Sequence, residues 1–155
     1  MVQQSAGILL YRGTGDSVEV LLAHPGGPFW AKKDDGAWSI PKGELTEGED
    51  ALDAARREFE EEMGSPPSGE AIALGSLKQP SAKLVHAFAV RGDFDVAGLR
   101  SNSFEMEWPP RSGRRQEFPE VDRAAWFALA EARKKILPGQ AAFLDRLRDA
   151  LAARG

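Results

Sequence analysis

The stretch 47–63 constrains this chain more than any other. Leu52, Ala55, Phe59 and Met63 recur at helical spacing and predict an amphipathic helix with one apolar stripe. Thr46 followed by Glu49 fits a capping box, in which each side chain satisfies a free backbone N–H. Gly64 is a stop, and Pro66-Pro67 prevents continuation. Such a helix must bury its stripe against another layer. Apolar runs of strand length at 5–11, 18–23, 71–78, 82–91 and 124–128 supply one, with a further strand expected around 104–108.

Gly13, Gly15 and Asp16 between the first two runs predict a hairpin, which argues against a purely parallel sheet. A long loop is expected over 24–36, then a short extended piece at 37–40. The polar, basic stretch from Pro109 to Pro119 reads as a loop. Two helices are expected at 129–136 and 138–153, separated by Pro138-Gly139. This order predicts a mixed α/β fold in a single domain, 1–155.

Charge and composition remove several functions. A net charge of -4 gives no general attraction to nucleic acid or anionic membranes, and argues against a stable nucleic-acid complex. The absence of cysteine excludes a disulfide scaffold, a zinc-thiolate site and a cysteine nucleophile. No apolar run approaches the ~20 residues that span a bilayer. Met1-Val2-Gln3-Gln4 lacks a basic, apolar leader, so a cytoplasmic protein is expected.

Glu58, Glu61 and Glu62 are three and four residues apart, so a helix places them within an arc of roughly 100°. Three crowded carboxylates repel one another unless a cation neutralises them. An acidic helix face is often simply solvated. Here the spacing says more than the acidity. Gly43, Glu49, Arg57, Glu58, Glu61, Glu62 and Gly64 match in register the pattern of the Nudix box. Phe59 fills its first apolar position, and Ser65 departs from the last.

The chain therefore resembles the Nudix hydrolases. The resemblance implies an α/β/α sandwich around a mixed sheet. It implies Glu58, Glu61 and Glu62 as ligands of Mg²⁺, with Mn²⁺ able to substitute, and Gly43 as a backbone carbonyl ligand. Arg57 would orient the carboxylates. Glu49 has either a site role or only its capping role. Glu60 points away from the ligand face.

The segment from Gly26 to Glu44 resembles bacterial Nudix proteins described as predicted nucleoside-triphosphate pyrophosphohydrolases, related to diadenosine polyphosphate hydrolases. The implied substrate is a nucleoside or dinucleoside polyphosphate. Pyrophosphate removal from 5′-triphosphorylated RNA is an alternative, as is a non-catalytic nucleotide sensor. Intact glutamates at all three ligand positions argue against the sensor.

Lys42, Lys32 and Lys33, with Arg111, Arg114 and Arg115, would form basic lips for phosphates or stand as solvated loop charges. Trp30 and Trp108, in or near loops, are candidates to stack on a base, and Trp38 and Trp126 are expected to lie in the core. His24 and His86 are read as structural. The family draws a further glutamate from a late loop as proton acceptor. Here Glu120 is favoured over Glu117.

Overall fold

The computed structural model describes residues 3–80 and 82–154. The reading of Met1-Val2 lies outside the described residues. Strand β1 (Gln4–Arg12) leads into β2 (Glu19–Pro25) as an antiparallel pair, the expected hairpin. A short β3 (Lys42–Glu44) pairs with β1 and precedes helix α1 (Ala51–Met63). Strands β4 (Ala71–Lys78) and β5 (Leu84–Arg91) follow. Then come a separate hairpin, β6 (Ser103–Glu107) with β7 (Arg115–Pro119), strand β8 (Val121–Ala128), and helices α2 (Leu129–Lys135) and α3 (Ala142–Ala153).

The main sheet runs β4-β5-β1-β2-β8, with β3 beside β1. The β1–β5 pairing is parallel and the others are antiparallel, so the sheet is mixed. Alternation along the strands sorts two cores. Ala6, Ile8 and Leu10 of β1 face Ala54, Ala55, Phe59 and Met63 of α1. Leu9 and Tyr11 face the opposite layer, with Ala132, Phe143, Leu144 and Leu147 from α2 and α3. Both faces are covered, which explains why β1 reads as an unbroken apolar run. Burying Phe59 contributes about 1.5–3 kcal/mol.

Two expectations need correction. Helix α1 begins at Ala51, not residue 47. Its N-cap is Asp50, whose carboxylate accepts from the Leu52 and Asp53 amides. Thr46 and Glu49 do bond each other, but as a turn before the helix: the Thr46 N–H and hydroxyl both donate to Glu49 Oε1 at 3.0 Å. Gly48 sits between them at φ 77°, a left-handed conformation that a helix cannot contain. The stretch Pro109–Pro119 is also not all loop. Its second half is β7, paired in register with β6 from Ser103↔Pro119 to Glu107↔Arg115. Its residues are almost all exposed, so it lacks the apolar alternation that marks a strand in sequence.

The stop at Gly64 is as expected. Its φ is 93°, and its N–H bonds the Glu60 carbonyl at 2.8 Å. A Cβ there would also lie 2.7 Å from the Arg100 Cβ, so the incoming chain packs against the helix end. No helix among the described residues is long and apolar enough to cross a membrane.

Candidate active site

The carboxylate helix is anchored to the sheet by Phe59 and Met63, so its other face is presented to the β3 turn. Arg57 is the hub. Its Nε and Nη2 donate to the two oxygens of Glu49, each at 2.9 Å. Its Nη1 donates to Glu58 Oε1 at 2.7 Å and reaches Glu61 Oε2 at 3.4 Å. Nη2 also donates to the Glu44 carbonyl at 3.1 Å. The bidentate bond from Arg57 holds the Glu49 carboxyl down at about 2, with the Thr46 amide adding to the effect. Glu49 thus closes the turn before the helix and also fixes Arg57.

Glu58 and Glu62 are shifted the other way. Burial raises Glu58 above the ordinary carboxylate range, against the pull of Arg57. Burial pushes Glu62 up to about 8, opposed by the charge of Lys42 and reinforced by the negative charges of Glu120 and Glu58. Lys42 is itself lowered by burial, with Glu62 opposing that shift. Gly43 lies directly against Glu58, so any side chain at 43 would occupy the space of the Glu58 carboxylate. Glycine is required there for close approach rather than for backbone freedom.

A cavity of about 210 Å³ opens beside this cluster, lined by Glu62, Glu120, Lys42, Trp30, Ser39 and Ile40 among others. A larger recess, about 460 Å³, has Tyr11, Ile72, Arg91 and Leu151 in its walls and none of the box residues.

The expected site residues divide clearly. Both late glutamates are exposed, but Glu120 lines the cavity, while Glu117 stands on β7 opposite Glu105. Trp30 lines the cavity, with Lys33 Nζ 5.0 Å above its ring. Lys32 is exposed on the same loop. Trp108 is not in the cavity wall. It stands at the base of the β6–β7 turn, edge-on to the exposed ring of Phe29 at 5.4 Å. Arg111 and Arg114 are exposed, and Arg115 lies 3.6 Å from Glu105. Trp38 is buried, as expected. Trp126 is half-buried, with its indole N–H on the Phe94 carbonyl.

Among the described residues no three acidic or histidine side chains converge closely enough to hold a metal ion as they stand. Arg57 bonds Glu58 and reaches Glu61, and Glu62 lies beside Lys42. The donor set is still chemically suited to a hard divalent cation: all oxygen, partly buried and crowded with like charge.

Some site residues gave no signal in the sequence. Gln140, fully buried, accepts from the Ile40 amide at 3.0 Å and donates to the Ser39 hydroxyl at 3.0 Å. It braces the strip that lines the cavity from a hundred residues away. Phe29, one residue from Trp30, turns outward instead of in. Nothing in a lone glutamine or a phenylalanine in a loop foretells these places.

Comparison with known proteins agrees with this geometry. No curated protein matches the chain. Among solved structures, an Ap4A hydrolase binary complex from C. elegans is similar with a TM-score of 0.65 at 22% identity, over 96% of this chain and 98% of that one. The NUDIX domain of Shewanella oneidensis NrtR, complexed with ADP ribose, gives 0.65 at 15% identity, over 97% and 89%. A mutT/nudix family protein from Listeria innocua gives 0.63 at 17%, over 98% and 95%. At these identities the likeness speaks for the fold: an α/β/α sandwich around a mixed sheet. The NUDIX domain family itself matches residues 1–147, nearly the whole chain with the glutamate helix in its midst, and the chain belongs to that family.

Proposed function

We propose that this chain is a divalent-metal-dependent hydrolase of nucleoside or dinucleoside polyphosphates. It is a Nudix pyrophosphohydrolase acting on a phosphoanhydride. The observation that carries the reading is the cavity in which Glu62 and Glu120 share a wall with Lys42 and Trp30. It combines carboxylates, a cation and an aromatic face in one recess, which is what a phosphate chain ending in a base requires. The relatives noted above, one an Ap4A hydrolase and one complexed with ADP ribose, agree with a nucleotide ligand.

Glu58, Glu61, Glu62 and the Gly43 carbonyl would hold the ion, with Mg²⁺ preferred and Mn²⁺ able to substitute. When bound, such an ion neutralises phosphate charge and acidifies a coordinated water. Arg57 keeps Glu58 and Glu61 turned toward one another, and Glu49 keeps Arg57 in place. Lys42 offers its ammonium to a phosphate oxygen. Trp30 offers a face to the base. Glu120 is assigned as the proton acceptor for the attacking water, because it lines the cavity and Glu117 does not. Phosphate or pyrophosphate release from a nucleotide panel, with and without Mg²⁺, tests the assignment. Turnover of one or more purine nucleotides, abolished by chelation, is expected. Turnover only of a sugar phosphate or other non-nucleotide diphosphate would defeat it.

A further inference from the structure

His24 is fully buried, yet both of its ring nitrogens are engaged. It lies on β2 between Ala23 and Pro25, which line the cavity. Strand alternation turns its ring to the other face. There the ring packs edge-on to Trp38 at 5.1 Å. Nδ1 is 2.9 Å from Asp122 Oδ1 on β8, and Nε2 is 2.6 Å from the Lys33 carbonyl oxygen. Both partners are acceptors. A neutral imidazole carries one N–H and can serve only one of them. The ring thus bridges a carboxylate on β8 and a carbonyl of the loop that carries Trp30.

The contact at Lys33 matters because of what that residue holds. The Lys33 N–H bonds the Trp30 carbonyl at 3.0 Å and closes the turn 30–33. Trp30 in turn lines the cavity. A line of direct contacts therefore runs from Asp122 through His24 and Lys33 to Trp30.

We propose that His24 is a positioning residue for the cavity: gripped by Asp122, it holds the Lys33 carbonyl and so fixes the turn that sets Trp30 in the cavity wall. The inference rests on the reading that Trp30 receives a nucleotide base. Other charged groups nearby meet Trp38 instead of the imidazole. Arg123 of β8 lies over the Trp38 ring at 5.3 Å. Asp34 accepts from the Trp38 indole at 2.9 Å and from Lys135 of α2 at 2.6 Å. The bond to the carboxylate is charge-assisted and the bond to the carbonyl is the weaker one.

The test uses the full chain and two readouts. Nitrogen-edited NMR of the metal-free protein reads the anchor through the Trp30 indole and Lys33 amide signals, compared between the parent and the variants. Asp122→Ala removes the partner from a side chain that is part-exposed, so the fold is retained even if His24→Ala fails to fold. In that variant both signals should shift away from their parental positions. KM for a hydrolysed nucleotide should rise about fivefold, the loss of roughly one hydrogen bond, with kcat within about twofold of the parent. His24→Gln, which retains one donor toward Lys33, should keep KM within about twofold of the parent. The proposal is overturned if the Trp30 and Lys33 signals are unmoved in Asp122→Ala, or if they move while KM stays unchanged. Absence of turnover with any nucleotide would defeat the functional reading, whereas the NMR arm still decides the anchor.

Discussion

Two regions of the molecule, the glutamate helix and the β6–β7 hairpin, are built on opposite plans. On the glutamate side Glu49 and Glu58 are largely covered, Glu61 less so, and Arg57 ties four groups together around one guanidinium. On the hairpin side, β6–β7 carries Arg111, Arg114 and Arg115 exposed, with one loose pairing of 3.6 Å between Arg115 and Glu105. The first plan suits chemistry, which needs groups held in place before the substrate arrives. The second suits selection, where exposed groups gain partners only when a ligand comes. The difference predicts that substitutions on the helix act mainly on rate, and those on the hairpin mainly on affinity.

The largest effect should come from Glu62→Gln. Changing groups that only support metal ligands costs roughly 10–100-fold, so loss of a ligand charge should equal or exceed the top of that range in kcat at saturating Mg²⁺. The thermal midpoint of the metal-free variant should not fall at alkaline pH, where the parent must carry a buried charge at position 62. Unchanged turnover would sink the metal assignment.

Next come the two late glutamates. Glu120→Gln should lower kcat by about 100-fold, the lower end of what a general base contributes, with little change in metal affinity. Glu117→Gln should leave kcat at the parental value. Full activity in both would move the base onto the helix, with Glu58 the first choice.

Arg57→Ala should reduce kcat by roughly 10–100-fold, as orienting partners of metal ligands do. It frees Glu49, Glu58 and Glu61 at once. Arg57→Lys should recover little, since a lysine cannot bond Glu49 through two nitrogens. Steady-state kinetics on both variants separates charge from geometry.

A smaller effect concerns pH. Glu62 is raised in the fold from 4.5 to about 8. A raised carboxyl favours the folded state while it holds its proton, so that stability is complete below 4.5 and is lost as pH climbs to about 8. Melts in the presence of a chelator should therefore show a midpoint falling by a few degrees across this window. Added Mg²⁺ should raise the midpoint most at the alkaline end. A flat midpoint from pH 5 to 9 would contradict the burial of Glu62.

The smallest effects belong to the hairpin. Arg114→Ala and Arg115→Ala should each raise KM by no more than about threefold and leave the thermal midpoint alone, as exposed charges usually do. A fall in kcat as deep as that of Arg57→Ala would erase the contrast between the two sides.

The core and the glutamate helix were legible because both rest on periodicity. The stripe of Leu52, Ala55, Phe59 and Met63 and the carboxylates at 58, 61 and 62 follow one helical repeat, so one pattern announced packing face and ligand face together. The helix start was misplaced because Thr46-Glu49 and Asp50 both satisfy capping chemistry. Only the left-handed Gly48 between them decides which one opens the helix. Strand β7 was hidden because an exposed hairpin needs no apolar alternation.

What the sequence determined by itself is therefore the box: which residues share a face, and the family to which that spacing belongs. What only the tertiary structure decided is who meets that face. Glu120 rather than Glu117 reaches the cavity because β7 ends at Pro119 and the next residue crosses beside Gly26, whose N–H bonds the Glu120 carbonyl at 2.9 Å. Trp30 lines the cavity while Phe29 beside it is exposed, and the turn 30–33 meets His24 at the Lys33 carbonyl. Gln140 and Asp122 act on segments about a hundred residues away. Periodicity is a property of neighbours along the chain, and these contacts join residues that only the closed sheet makes neighbours.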